Sequence, residues 1–190
     1  CAAMTYDLCP TISMTRLLEQ VREGIVWLHR NAATLGFDAD RIFVGGHSAG
    51  GHLTAMLLLT DWTRYGLPKD AVKGGLSISG LYDLEPVRLA YVNEALKLDA
   101  QEAHSLSPQH LLPPQGNAVP PLLLAVGAAE LSEFVRQQRD FAAAAKARGL
   151  RVVEIELPGH NHFSVLETLE TQDAALFPQL RHLIHSGSVL

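Results

Sequence analysis

The chain has 190 residues, of which 47% are hydrophobic and 18% charged, and its formal net charge is −5. This length and composition predict one ordinary folded domain, residues 1–190, and argue against a disordered chain. The acidic balance lacks the basic surface of a nucleic-acid-binding protein, so no nucleic-acid partner is expected. Residues 42–60 and 111–129 carry no Asp, Glu, Lys or Arg, but histidine, glycine and proline interrupt them. No membrane partner is therefore expected.

The two cysteines, Cys1 and Cys9, are too few to form a disulfide framework for a domain of this size. We expect both thiols to be free, which is typical of a reducing compartment. The resulting expectation for the location of the protein is the cytoplasm.

Strand-like and helix-like segments alternate along the chain. Short apolar runs predict five strands, at residues 1–8, 41–46, 72–79, 121–127 and 151–157. Apolar residues at helical spacing predict helices at 14–35, 48–60, 131–148, 163–170 and 176–185. In the first helix Leu18, Val21 and Ile25 share one face, and Gly36 is placed to end it.

Residues 81–119 interrupt this alternation. They contain four prolines, and we expect short helices in a cap-like excursion there. Elsewhere, strands that alternate with helices predict the α/β fold class, a mostly parallel sheet with helices on both faces. Functional side chains of such sheets follow the carboxyl ends of the strands.

The segment after the second predicted strand carries the clearest chemical signal. Gly46-His47-Ser48-Ala49-Gly50 is a G-x-S-x-G sequence at a strand-to-helix turn. Such a turn exposes one side chain at its apex, and the flanking glycines let the backbones approach closely. Ser48 is therefore the candidate nucleophile, and a structural serine in a glycine-rich turn is the alternative. A phosphate-binding loop is excluded, because Gly51 and His52 stand where it needs Lys and Ser or Thr.

A nucleophilic serine needs a base, and nine histidines are present. His160 and His162 follow the last predicted strand and are the best placed for this role. His47 adjoins the serine and is expected, like His52, to pack locally. His182 and His185 lie three residues apart, but without a third ligand nearby they predict no metal site.

The base in turn needs an orienting carboxylate. Glu130 follows the fourth predicted strand, with Glu133 one turn later, and Asp83 follows the third. Each of them gives the chain order serine, acid, histidine. Asp83 also suits a turn or helix-capping role, and the residues alone leave the choice of acid open.

These motifs resemble the α/β-hydrolases, and within them the esterases and arylformamidases. The matching stretches follow the expected order along nearly the whole chain, at residues 6–10, 40–53, 79–86, 107–108, 127–137 and 158–163. Many esterases share the Gly-His-Ser-Ala-Gly-Gly stretch. The E-x-x-E-F-x-R-Q stretch, which ends at Gln137, is the one that points to formamidases.

The resemblance implies a serine hydrolase that cleaves a small ester or amide through an acyl-enzyme on Ser48. It places the base at His162 and the acid at Glu130, with Glu133 as the alternative. It also assigns one oxyanion-binding N–H group to Ala49. No metal or organic cofactor is expected, the implied partner is a small-molecule substrate, and the oligomeric state stays open.

The chain also departs from the family pattern. It contains no His-Gly-Gly, although the family takes part of its oxyanion hole from such a loop. Residues 1–8 match the family's fourth strand and 41–46 its fifth, so the strand that lies between them in the family is expected before Cys1. We expect this chain to hold the C-terminal two-thirds of the fold and to be poorly active alone. A non-catalytic hydrolase-fold binding protein, or an inactive fragment, is the alternative function.

Overall fold

Four parallel strands form the centre of the computed structural model, which describes residues 1–117 and 119–189. They are β1 (Phe43–His47), β2 (Gly74–Ile78), β3 (Leu122–Gly127) and β4 (Val152–Leu157), and they lie side by side in chain order. Every residue of β2 and β3 is buried, because helices cover both faces of the sheet. The α/β class predicted from the sequence is confirmed.

Helices connect and cover these strands. The α-helices of the described residues are α1 (Met14–Leu35), α2 (Ala49–Leu58), α3 (Glu85–Arg88), α4 (Asn93–Leu96), α5 (Ala100–Ser105), α6 (Pro108–Leu111), α7 (Ser132–Ala147) and α8 (Phe177–Ser186). Short 3₁₀ helices span Ala39–Arg41, Trp62–Tyr65 and Ser164–Leu169. The predicted helix at 163–170 is thus a 3₁₀ helix, and the other long helices match their predicted bounds closely.

Successive residues of β3 point to opposite faces of the sheet. Leu122 and Leu124 belong to a large core cluster that includes buried residues of α1, α2 and α7. Leu123 and Ala125 belong to a smaller cluster that includes Leu183 of α8. This alternation, which strand geometry imposes, divides the interior into two apolar layers with the sheet between them.

Helix α1 begins and ends where its sequence predicts. The Ser13 hydroxyl caps its first turn by accepting a hydrogen bond from the Arg16 N–H, and Gly36 ends it with a φ of 76°. Of the residues predicted to share its apolar face, Leu18, Val21, Ile25 and Ala32 are buried, and Leu28 is partly buried. The capping residues and the apolar stripe therefore agree on one helix.

The strand predicted at residues 1–8 is wrong. This segment has no ladder hydrogen bonds, and among the described residues β1 pairs with β2 alone. Residues 1–8 lie along α1 instead, where Gln20 accepts a hydrogen bond from the Asp7 N–H and donates one to the Asp7 carboxylate. Met4 packs closely over Gly24 of the same helix. An apolar segment forms a strand only beside a partner strand, and this segment packs against helix α1 instead.

Residues 81–119 contain four of the short helices, α3 to α6, as the prolines predicted. Tyr82 anchors their start, since its ring is fully buried and stacks on Phe141 of α7 with centroids 4.4 Å apart. The Ser107 hydroxyl accepts a hydrogen bond from the Leu84 N–H and donates one to the Ala103 carbonyl. The excursion is thus tied to the main body at its start and within its own turns.

Candidate active site

Ser48 occupies the turn between β1 and α2. Its φ of 56° and ψ of −116° lie in a region that residues other than glycine rarely adopt. The Ser48 N–H donates to the Ile78 carbonyl at 2.9 Å, and its own carbonyl accepts from the His52 N–H at 3.1 Å. Backbone bonds on both sides hold the strained residue, so its hydroxyl is presented at the apex.

Glycines permit the close approach that this turn requires. A Cβ atom on Gly46 would lie 2.5 Å from the Gly50 carbonyl group, and one on Gly51 would lie 2.8 Å from the Gly80 Cα. Gly45, by contrast, has room for a Cβ, whose nearest neighbour would be the Leu76 carbonyl oxygen at 3.4 Å. The first glycine of the G-x-S-x-G pattern therefore reflects a contact between backbones, whereas a Cβ on the second, Gly50, would meet nothing within 4 Å.

The Ser48 hydroxyl is the first member of a hydrogen-bonded chain of three side chains. Its Oγ lies 3.0 Å from His162 Nε2, and His162 Nδ1 lies 2.6 Å from Glu130 Oε2. The Glu130 side chain is fully buried, whereas that of His162 is 24% exposed. The three residues come from the ends of three different strands or the turns that follow them.

The second oxygen of Glu130 is also occupied. Its Oε1 accepts hydrogen bonds from the Ser79 hydroxyl at 2.6 Å and from the Gly127 N–H at 2.7 Å. With the His162 ring, three donors converge on one buried carboxylate, so both of its oxygens are hydrogen-bonded. This arrangement fixes the direction in which the carboxylate faces the imidazole.

Close contact between two loops brings the acid and the histidine together. The Ala129 N–H donates to the His160 carbonyl at 3.0 Å. A Cβ on Gly127 would lie 2.2 Å from that same carbonyl oxygen, so only glycine fits at the end of β3. The loop after β3, which carries Glu130, is therefore fastened to the loop after β4, which carries His162.

His160, Glu133 and Asp83, the alternatives that the sequence offers, take no part in the hydrogen bonds that join Ser48, His162 and Glu130. The His160 ring bonds the Ser164 carbonyl at 2.9 Å through Nδ1. Glu133 pairs with Arg136 at 2.6 Å, and Asp83 accepts a hydrogen bond from the Glu85 N–H in a local turn. The structure thus brings Glu130, and neither other carboxylate, to the His162 ring.

Ala49 is the first residue of α2, directly after Ser48. The first N–H groups of a helix have no acceptor within it, and they carry the positive end of the helix dipole. The N–H group of Ala49 is therefore placed to receive a negatively charged oxygen beside the serine.

The structure gives roles to two residues for which the sequence predicts none. Ser79 follows β2 and donates to Glu130, and its position after a strand end is the only signal for this role. Gln137 accepts hydrogen bonds from the N–H groups of Tyr82 and Asp83, at 2.7 and 2.9 Å. This last residue of the E-x-x-E-F-x-R-Q stretch thus joins α7 to the turn after β2.

Aromatic rings surround the His162 imidazole. The His47 and Phe134 centroids each lie 4.5 Å from it, and the Phe163 ring meets it edge-on at 5.6 Å. The local packing predicted for His52 also holds, since this buried side chain bonds the Leu106 carbonyl through Nε2 at 2.8 Å. Burial lowers the pKa of His52, and its hydrogen bond acts in the opposite direction.

In the described part of the chain, no group of three or more His, Cys, Asp or Glu side chains is arranged to hold a metal ion. Within residues 1–117 and 119–189, every helix is too short or too polar to cross a membrane.

A cleft lies at the opposite end of the strands from Ser48. It has a volume of about 650 Å³, and Phe43, Val72 and Arg151 are among its lining residues. Phe43 begins β1 and Arg151 directly precedes β4, so the cleft sits at the amino ends of the strands. It is separate from Ser48, which follows a carboxyl end.

Comparison with known proteins agrees with this geometry. The sequence matches the alpha/beta hydrolase fold family over residues 1–166. The chain belongs to this family. It is 33% identical to the kynurenine formamidase of Danio rerio over 185 residues, which are 96% of this chain and 61% of that protein. It is 30% identical to esterase LipC of Mycobacterium tuberculosis over 195 residues, covering 92% of this chain and 48% of that one.

A solved structure gives the same fold. The esterase of Pyrobaculum calidifontis aligns with a TM-score of 0.69 at 24% identity, covering 97% of this chain and 65% of that one. The hydrolase resemblance seen in the sequence is confirmed. The chain spans between about half and two-thirds of the length of these relatives.

Substituting the crowded glycine of the turn should disturb it. We expect Gly46→Ala to lower the free energy of unfolding by about 1–3 kcal/mol, because the added methyl group overlaps the Gly50 backbone. The neighbouring variant Gly45→Ala is the matched control and should change stability by less than about 1 kcal/mol. Urea denaturation of both variants measures the difference, and equal stabilities would contradict the close-approach explanation.

Proposed function

We propose that this protein is a serine hydrolase that cleaves a small ester or amide through an acyl-enzyme on Ser48. The observation that carries the proposal is the hydrogen-bonded chain from Ser48 Oγ through His162 to Glu130. Its two distances, 3.0 and 2.6 Å, suit transfer of the serine proton to His162 Nε2 and a hydrogen bond from the proton on Nδ1 to the Glu130 carboxylate.

The first half of the reaction acylates the serine. Ser48 Oγ attacks the substrate carbonyl carbon while His162 Nε2 takes the hydroxyl proton. The carbonyl oxygen becomes negatively charged and accepts a hydrogen bond from the Ala49 N–H. When the tetrahedral intermediate collapses, the bond to the leaving group breaks, and that group receives the proton from His162.

The second half of the reaction releases the carboxylic acid product. A water molecule attacks the acyl carbon and gives a proton to His162 Nε2, which then returns it to Ser48 as the carboxylic acid departs. Glu130 keeps its hydrogen bond to Nδ1 throughout, so it holds the required tautomer and stabilises the imidazolium. No cofactor takes part in either step of this proposal.

Removing the nucleophile tests the proposal directly. We expect Ser48→Ala to lower hydrolysis of a p-nitrophenyl ester by at least about 10⁴-fold. A fluorophosphonate probe should label the unaltered protein at Ser48 and leave this variant unlabelled. Ser105→Ala on α5, where the residue is exposed, is the control and should retain full activity. A Ser48→Ala variant with normal turnover would contradict the mechanism.

The two neighbouring carboxylates should behave differently. We expect Glu130→Gln to reduce kcat by about 10³–10⁴-fold, because the amide cannot hold the same tautomer of His162. Glu133→Gln breaks an exposed pair with Arg136 and should reduce kcat by less than about fivefold. Steady-state kinetics on both variants decides the assignment, and a larger loss for Glu133→Gln would reverse it.

For the substrate we propose an aryl formamide rather than an alkyl ester. The similarity to a kynurenine formamidase supports this. His162 gives its proton to the leaving group, which therefore lies beside that ring, and the neighbouring Phe163 side chain is 80% exposed there. An exposed phenyl ring offers stacking to an aromatic leaving group.

Two substrates separate these possibilities. We expect a higher kcat/KM for N-formylkynurenine than for ethyl butyrate, an ester whose leaving group is not aromatic, and a Phe163→Ala variant should reduce the difference. Preference for the ester would instead indicate a carboxylesterase, which the similarity to esterase LipC supports.

A non-catalytic hydrolase-fold binding protein is the alternative function. The fluorophosphonate experiment separates the two candidates, because a binding protein without an activated serine would not be labelled.

For the location we propose the cytoplasm. The free thiols of Cys1 and Cys9 support this, because unpaired cysteines are typical of reducing compartments. Cell fractionation is the test, and recovery of the protein from a secreted fraction would contradict the proposal.

A further inference from the structure

His47 directly precedes the nucleophile, at the end of β1. Its ring centroid lies 4.5 Å from that of His162, with 44° between the ring planes. Phe134 of α7 contacts the same imidazole at 4.5 Å and 36°. Two rings from different elements thus limit rotation of His162 about its Cβ–Cγ bond. This rotation matters, because the ring must face Glu130 with one nitrogen and Ser48 with the other.

The electrostatic surroundings of His47 favour an uncharged ring. Its Nε2 is buried and has no hydrogen-bond partner among the described residues. Burial lowers the pKa of His47, and the neighbouring His162 ring lowers it further, whereas the His162 backbone and the Glu130 carboxylate raise it. An uncharged ring suits this place, because His162 becomes a cation each time it takes the serine proton. A second cation at this distance would oppose that step.

We propose that His47 is a positioning residue, whose uncharged ring packs against His162 and keeps it aligned between Glu130 and Ser48. This rests on the proposed function, in which Ser48 is the nucleophile. His47 does not touch the reacting atoms and acts through His162. Its buried Nε2 bonds nothing in the described protein, whereas a hydrogen bond with the His162 backbone raises the pKa of the ring. In this proposal, the site uses the shape of the ring and not its nitrogen atoms.

Two substitutions separate shape from chemistry. His47→Ala removes the ring, and His47→Phe restores an aromatic face without a nitrogen. The measured quantity is the second-order rate constant for fluorophosphonate labelling of Ser48 at pH 8. We expect His47→Ala to lower it by about 10- to 100-fold, because small misplacements of catalytic groups cost this much. We expect His47→Phe to stay within about threefold of the unaltered protein, as for a replacement of similar shape.

A matched control removes a histidine from another ring pair. His104 stacks on His110 with centroids 4.1 Å apart, in the excursion after β2. His104→Ala should leave the labelling rate unchanged. Thermal unfolding of each variant shows that it is folded when its labelling is measured.

A spectroscopic measurement reports the orientation of His162 independently of reactivity. The proton between His162 Nδ1 and Glu130 should give a low-field NMR signal in the unaltered protein and in His47→Phe. In folded His47→Ala we expect that signal to be broadened or lost, because the freed ring exchanges its proton faster with water.

Either readout can overturn the inference. It is wrong if His47→Ala labels at the normal rate and keeps the low-field signal, or if His47→Phe is as slow as His47→Ala. If the unaltered protein is not labelled at all, the proposed function fails. The low-field proton of the three proteins then decides the positioning role by itself.

Discussion

The strand-to-helix turn at Ser48 is the constraint on which the site depends. A non-glycine residue is held at positive φ because the Ser48 N–H bonds the carboxyl end of β2 and its carbonyl begins the hydrogen bonding of α2. Such strain persists only where the surroundings over-determine it. Here two backbone hydrogen bonds and the close backbone contacts at Gly46 and Gly51 hold Ser48 in this conformation. The conformation of the backbone therefore determines where the serine hydroxyl lies.

The parallel sheet does the rest of the assembly. Because strands β1, β3 and β4 end at one edge, the turns that follow them deliver a serine, a carboxylate and an imidazole to neighbouring places. The carboxylate arrives buried and fully bonded, whereas the imidazole keeps a partly exposed edge. That difference matches their tasks. Glu130 only orients its neighbour and can be buried. His162 passes protons to a substrate and must be accessible to it.

The sequence predicts the local features of this protein well and its long-range ones poorly. The turn at Ser48 is predictable because its glycines, strand and helix are contiguous. The choice between Glu130 and Glu133, or between His160 and His162, depends on a few ångströms of loop placement, and only the family resemblance favours Glu130 and His162 before the structure is known. Ser79 bonds a residue 51 positions away, so no local pattern predicts its role. The composition of residues 1–8 predicts a strand, because an apolar run has the same composition whether it meets a strand or a helix.

The hydrogen bonds of Gln137 limit which substitutions the site can tolerate. One amide oxygen accepts the N–H groups of Tyr82 and Asp83, and leaving those groups without an acceptor would cost about 1–3 kcal/mol each. The turn after β2 is therefore anchored to the same helix that follows the acid. A substitution of Gln137 would therefore have two effects. It would loosen the turn after β2, and it would disturb the helix that follows Glu130. We expect substitutions in residues 85–111, which lie beyond that anchor, to leave the hydrogen bonds of Glu130 and His162 intact, because none of those residues takes part in them in the described part of the chain.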